Sequence, residues 1–208
     1  MRSVRKDSGQ AFPVYIAVVA GLLFLAFAYF LVGQAAVTRN GAQTAADAAA
    51  LAAAQDAREQ LREGWLKVIL DPKQWGGFLA GEAYIHAAAC GSAADFASRN
   101  GAVVVSPGCE PLSSEDSGFR VTVHTTGGEA DAAKASAEAV IEPRCTFDEP
   151  DPQPPSEPPS SPPPSDEPEE EVPGPILGLE CEGEQWEIDP EDPRLPSATD
   201  LFTVRLSE

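Results

Sequence analysis

Residues 40–54 read NGAQTAADAAALAAA, a run in which nearly every side chain is a methyl group or smaller. Alanine is the best helix former and a poor core former, because each one withdraws little apolar area from water. A helix written this way forms easily and packs only against something that comes very close, such as another helix. Its meaning is set by what flanks it.

Upstream stands AFPVYIAVVAGLLFLAFAYFLVG (11–33), and no residue between Asp7 and Arg39 is charged. This exceeds the ~20 apolar residues that a helix needs to cross a bilayer. Pro13 falls in the first turn, where a helix accepts proline, and Tyr15 and Tyr29 lie where interfacial aromatics anchor a span. Ala17 and Gly21 form one small-xxx-small pair. Arg2, Arg5 and Lys6 precede the segment and Arg39 alone follows it closely. That asymmetry predicts a cytoplasmic basic leader over 1–12, a transmembrane helix over 13–36 and everything later outside. A cleaved secretory signal competes, with Gly33, Gln34, Ala35 and Ala36 as a loose cleavage site; the apolar run is longer than the ~7–15 residues of a signal core, which favours an uncleaved anchor.

Downstream, residues 42–63 contain neither Gly nor Pro, so the same helix is expected to continue toward Leu70, short of Asp71-Pro72. Ala50, Ala54, Ala57, Leu61, Trp65 and Val68 recur at steps of three and four and mark one apolar stripe, mildly interrupted at Gly64. FLAGEAYIHAAACGSAADFASRNG (78–101) predicts a second helix, or two joined near Gly91, stopped by Asn100-Gly101. AVVVS (102–106) and FRVTVHT (119–125) predict strands joined by a long connection carrying Pro107, Gly108 and Pro111; SAEAVIEP (136–143) completes a three-stranded antiparallel sheet. The fold class expected is α+β: one transmembrane helix continuing into a long extracytoplasmic helix packed on a small antiparallel sheet, the domain covering 37–146.

After Cys145 the composition changes. The chain carries a formal net charge of -19, and 18 of its 33 carboxylates but only 2 of its 14 basic residues follow that cysteine. Residues 147–175, rich in Pro, Ser and Glu, are expected to form a disordered linker or loop that could hold its ends roughly 80 Å apart at ~3.1 Å per residue. Residues 176–208 have enough apolar side chains to add a strand or two to the domain and too few for a core of their own. So acidic a chain lacks the basic stripe that nucleic acid requires, and no nucleic-acid partner is expected.

Cys90, Cys109, Cys145 and Cys181 all fall on the expected outer side, where disulfides are favoured. Four cysteines allow three connectivities; proximity in sequence favours Cys90–Cys109 and Cys145–Cys181, the second closing the proline tract into a loop. His86 and Cys90 share a helix face, but no CxxC or HxxxH accompanies them and His124 projects from the wet face of a strand, so no metal is expected. Nucleophile elbows and phosphate loops are missing, and Glu115-Asp116 reads as a solvated turn. Neither a catalytic site nor a cofactor is expected. Asp47, the one charge in the alanine run, is expected to face water or a basic group on a neighbouring subunit.

The order of a short basic leader, a DSGQA junction (Asp7–Ala11), one span and RNGAQTAADAAALAAA (Arg39–Ala54) resembles the TadE/TadG-like family of bacterial tight-adherence (Flp) pilus-assembly proteins. Gln43, Ala45, Ala46, Asp47, Ala48, Ala49, Ala50, Leu51 and Ala52 match that family's phrase after its membrane helix. The resemblance implies a membrane-anchored, pilin-like or envelope component without catalytic residues. With Val14 at the fifth position after Gly9, where a prepilin-type processing site would want Glu, the leader is expected to stay attached. Physically, small side chains let long helices bundle. We therefore expect Ala46, Asp47, Ala49, Ala50 and Leu51 to pack against a helix of a partner. The expected partners are membrane lipid and pilus or secretion-system proteins or further copies of this chain, at the bacterial cell membrane. The rival reading is a secreted or surface-displayed binding domain whose N-terminus serves only export.

Overall fold

The computed structural model of the chain describes residues 11–112, 117–126, 132–148, 174–191 and 194–207. Most of the leader, the turn with Glu115 and Asp116, and nearly all of the proline tract lie outside the described residues.

One helix, α1 (Ala11–Lys67), runs unbroken for 57 residues, about 85 Å at 1.5 Å per residue. It passes through Asn40-Gly41 without interruption, as the absence of Gly and Pro from residues 42–63 leads one to expect. From Phe12 to Val37 nearly all its large apolar side chains are exposed, and the described part of α1 is one candidate membrane span by length and composition. From Ala42 onward the same helix is buried in the chain's own core.

Two short turns follow α1, then α2 (Gly76–Leu79) and α3 (His86–Arg99). Gly91 lies inside α3. The break between the two helices falls instead at 80–85, where Gly81 takes φ +77°, a left-handed conformation that suits glycine. α3 runs antiparallel to α1: Gln60 meets Ile85 at the start of α3, while the earlier Asp56 meets the later Ser92.

Both helices cover one face of a four-stranded antiparallel sheet in the order β1–β2–β3–β7, comprising β1 (Ala102–Pro111), β2 (Ser117–Thr125), β3 (Lys134–Pro143) and β7 (Phe202–Leu206). The fourth strand comes from the C-terminal tail and pairs with β3, Ile141 opposite Val204. Strand alternation sorts the faces. Phe119, Val121 and Val123 point to the helices opposite Ala139, Ala137 and Ala135, while Arg120 and Glu138 pair on the wet side. Pro107 and Gly108 do not connect β1 to β2 as expected. They form an irregularity within β1, between Val104 and Cys109, which an edge strand accommodates because its outer N–H groups owe nothing to a neighbour.

A second, three-stranded sheet is built from β4 (Cys145–Phe147), β5 (Ile176–Cys181) and β6 (Glu184–Ile188). It packs at the far end of α1, where Trp75 meets Trp65 edge-on at 5.3 Å and Phe147 at 4.7 Å. The short α4 (Ala198–Leu201) then leads directly into β7. The residues after the proline tract thus supply three strands, more than the one or two expected, because β4 before the tract offers β5 a free edge.

Candidate functional site

Among the described residues no group of three His, Cys, Asp or Glu is placed to hold a metal ion. The chemistry of interest is how α1 holds the domain.

Ala45, Ala46, Ala49, Ala50, Ala53, Ala54 and Ala57 are all fully buried, and they face α3 and the sheet of the same molecule. The helix α3 answers with Ala89, Ala93 and Ala97, three alanines at steps of four, also fully buried. Small side chains on both surfaces let helix axes approach to the lower end of the usual ~8–10 Å range. The sheet contributes Ala137 and Ala139 to the same contact. Side-chain size therefore rises along α1, from methyl groups at Ala42–Ala57 to Leu61 and Trp65 where the second sheet adds depth.

Ala46, Ala49 and Ala50, expected to pack on a helix, are buried in this chain's own core. The close neighbour those methyl groups require is α3 of the same chain. Leu51 is half-buried against this core. Asp47 is half-buried too, and it accepts a hydrogen bond from Gln43 Nε2 one turn earlier, at 2.7 Å; its observed partner is intramolecular. Gln43 Nε2 also reaches the carbonyl of Ser136 at 3.4 Å, tying α1 to β3.

Deeper in the domain, Asp56 is the hub of a polar clamp between the helices. It accepts from Gln60 Nε2 at 2.5 Å and from Ser92 Oγ at 2.7 Å, while Gln60 Oε1 accepts from the Ile85 amide at 2.9 Å. The last bond satisfies a backbone donor at the start of α3 that no side-chain cap reaches. Arg62 Nε donates to the Pro196 carbonyl at 2.9 Å, so the tail is held to the same helix. Periodicity marked the stripe but not this clamp; Asp56 and Gln60 at i, i+4 were its only sequence signal.

Cys90 and Cys109 join α3 to β1, and Cys145 and Cys181 join β4 to β5, each pair at disulfide distance. Cys145 and Cys181 are direct register partners, so the proline tract leaves and re-enters the domain at neighbouring points. His86 packs its ring on Tyr84 and Phe119. Burial pushes the pKa of the Tyr84 phenol up.

α1 thus has two halves in one segment, an exposed apolar run to Val37 and a methyl-clad docking face from Ala42. Residues 9–56 match the family model described as "Putative Flp pilus-assembly TadE/G-like". The TadE/G-like segment spans both halves and stops at Asp56, the hub of the clamp. Beyond it, α3, both sheets and both disulfides lie outside the matched residues. No match to the chain was found among the curated proteins or the solved structures.

Proposed function

We propose that this chain is an envelope protein anchored by α1 in a bacterial cell membrane, with its N-terminus cytoplasmic and its α+β domain outside. In this reading it takes part in the assembly of a tight-adherence (Flp-type) pilus or a related secretion apparatus, as a non-enzymatic, pilin-like or assembly component. The observation that carries the reading is the coincidence of the TadE/G-like match with a single unbroken helix that is apolar and exposed to Val37 and buried in a folded domain from Ala42. Such a rod transmits the position of the membrane to the domain without a hinge.

Burial of the alanines supports a contact surface elsewhere on α1. With its alanines occupied by α3, the helix meets pilus or secretion-system proteins, or further copies of itself, through the exposed surface of residues 12–41, and only outside the domain core.

Membrane fractionation with affinity capture tests this. The expected result is a full-mass protein that leaves the membrane only with detergent and captures secretion-apparatus components. Release into the medium at a mass lacking the first ~36 residues would favour the export-only reading, which the fold accommodates because the core begins at Ala42.

A further inference from the structure

We propose that the groove between α1 and the start of β3 seats a phospholipid of the leaflet from which α1 emerges, its phosphate against Arg39 and its acyl chain along Phe30. This deepens the membrane reading above and rests on it. On one wall stand Tyr29, Phe30, Val37 and Arg39, and on the other Ala132 and Ala133.

The depth follows from one bond. Gln43 Nε2 meets the Ser136 carbonyl, and from there to Ala133 is about 10 Å of strand, equivalent to six or seven residues of helix, roughly. Ala133 therefore stands beside Val37, where the apolar run gives way to its first charge after Asp7, Arg39. Lys134 begins β3 at nearly the depth of Arg39. A groove at that level is apolar toward the span and cationic toward water, which is the polarity of a phospholipid read from tail to headgroup. Its lower part is continuous with the exposed apolar surface of α1, Tyr29 being 82 % exposed, so the same solvent that covers the span fills the groove. Because Glu129 and Asp131 precede the sheet-side wall in sequence, the recognition is assigned to the phosphate at Arg39 and to the apolar walls, not to net charge. A guanidinium holds a phosphate oxygen through charge-assisted hydrogen bonds, and a long basic side chain at a span's end reaches the headgroup layer without strain.

The full chain, reconstituted in nanodiscs containing a phospholipid with a photoactivatable group high on its acyl chain, tests the assignment by mapping labelled peptides. Labelling is expected on residues 12–28 and on the peptide carrying Ala132 and Ala133, and Arg39→Gln should reduce the second several-fold while sparing the first; Arg39→Lys should retain most of it. Labelling of 12–28 without labelling of Ala132–Ala133, or an Arg39→Gln variant labelled like the parent, overturns the groove proposal and leaves the anchor standing. Loss of both labels overturns the anchor itself.

Discussion

Gly64 lies beneath the ring of Phe78, so close that a methyl group on its Cα would overlap the ring. A glycine three residues before the end of a long helix otherwise weakens it by about 1 kcal/mol relative to alanine. Here it admits α2 against α1. Gly64→Ala should therefore cost about 1–2 kcal/mol through overpacking, despite its better helix propensity. In a Phe78→Ala background the same change should become neutral or mildly stabilising, a non-additivity that urea denaturation of the four variants would measure. Additive effects would show that the ring simply swings aside.

Replacing Ala46, Ala49 or Ala50 by leucine tests where the alanine face is engaged. Because each is fully buried against α3 or the sheet, each leucine should cost about 1–3 kcal/mol of domain stability. Thermal melting of the single variants measures this in the isolated protein, before any assembly assay. Unchanged melting would return the face to an external partner.

Acid should loosen the C-terminal half first. Arg205 holds Glu142 below the ordinary carboxylate pKa, Arg144 does the same for Glu182, and the Ser197 hydroxyl and amide do so for Asp200. A depressed folded-state pKa gives stability that is complete above the unfolded value of ~4–4.5 and is lost as pH falls through the folded value. Melting temperatures should therefore hold steady from pH 7 to about 5 and fall below pH 4. High salt should blunt the exposed Glu142 and Glu182 contributions more than that of Asp200, whose carboxylate accepts from Ser197 Oγ at 2.7 Å and from its amide at 2.8 Å.

The sequence made α1 legible because a charge-free apolar run and an unbroken alanine helix are both long signals. It made the inward residues of β2 legible through strict alternation. The partner of the alanines was not legible. Methyl groups at helical spacing require a close neighbour but carry no information on which chain supplies it, and α3's answering alanines at 89, 93 and 97 sit in a segment that reads as helix without declaring its face. The strand β7 was hidden for a different reason. Phe202–Leu206 is separated from β3 by the proline tract, and pairing across so long a connection leaves no local signature.

Opening the Cys145–Cys181 bridge tests how the proline tract is tethered. The pair spans 36 residues, for which loop entropy gives about 3–4 kcal/mol. Cys145→Ser with Cys181→Ser should lower stability by up to that amount and detach β4 from β5, exposing Trp75 and Phe147, which pack at 4.7 Å. A red-shifted tryptophan emission at unchanged helix content would report it. The same double change at Cys90 and Cys109 should leave that emission in place, since this bridge joins α3 to β1, away from the tryptophans.

Removing residues 1–36 separates anchor from domain. Every core residue of α1 lies at or beyond Ala42, and the bonds that fix α1 to the rest of the chain begin with Gln43 to Ser136. A chain starting at Val37 loses apolar surface that lies outside the core, part of it the groove wall facing Ala132 and Ala133, and keeps α3, both sheets and both disulfides. It should stay dispersed in water without detergent and melt within a few degrees of the full chain in detergent, as judged by gel filtration and circular dichroism. The deletion also removes the Tyr29 and Phe30 part of the groove wall while keeping Val37 and Arg39, so the half-buried Ala133 should gain solvent exposure, visible as faster amide exchange there while β3 from Ser136 onward stays protected. If the shortened chain unfolds, the membrane half of α1 contributes to the domain's stability, and the division between an anchoring and a docking half is wrong.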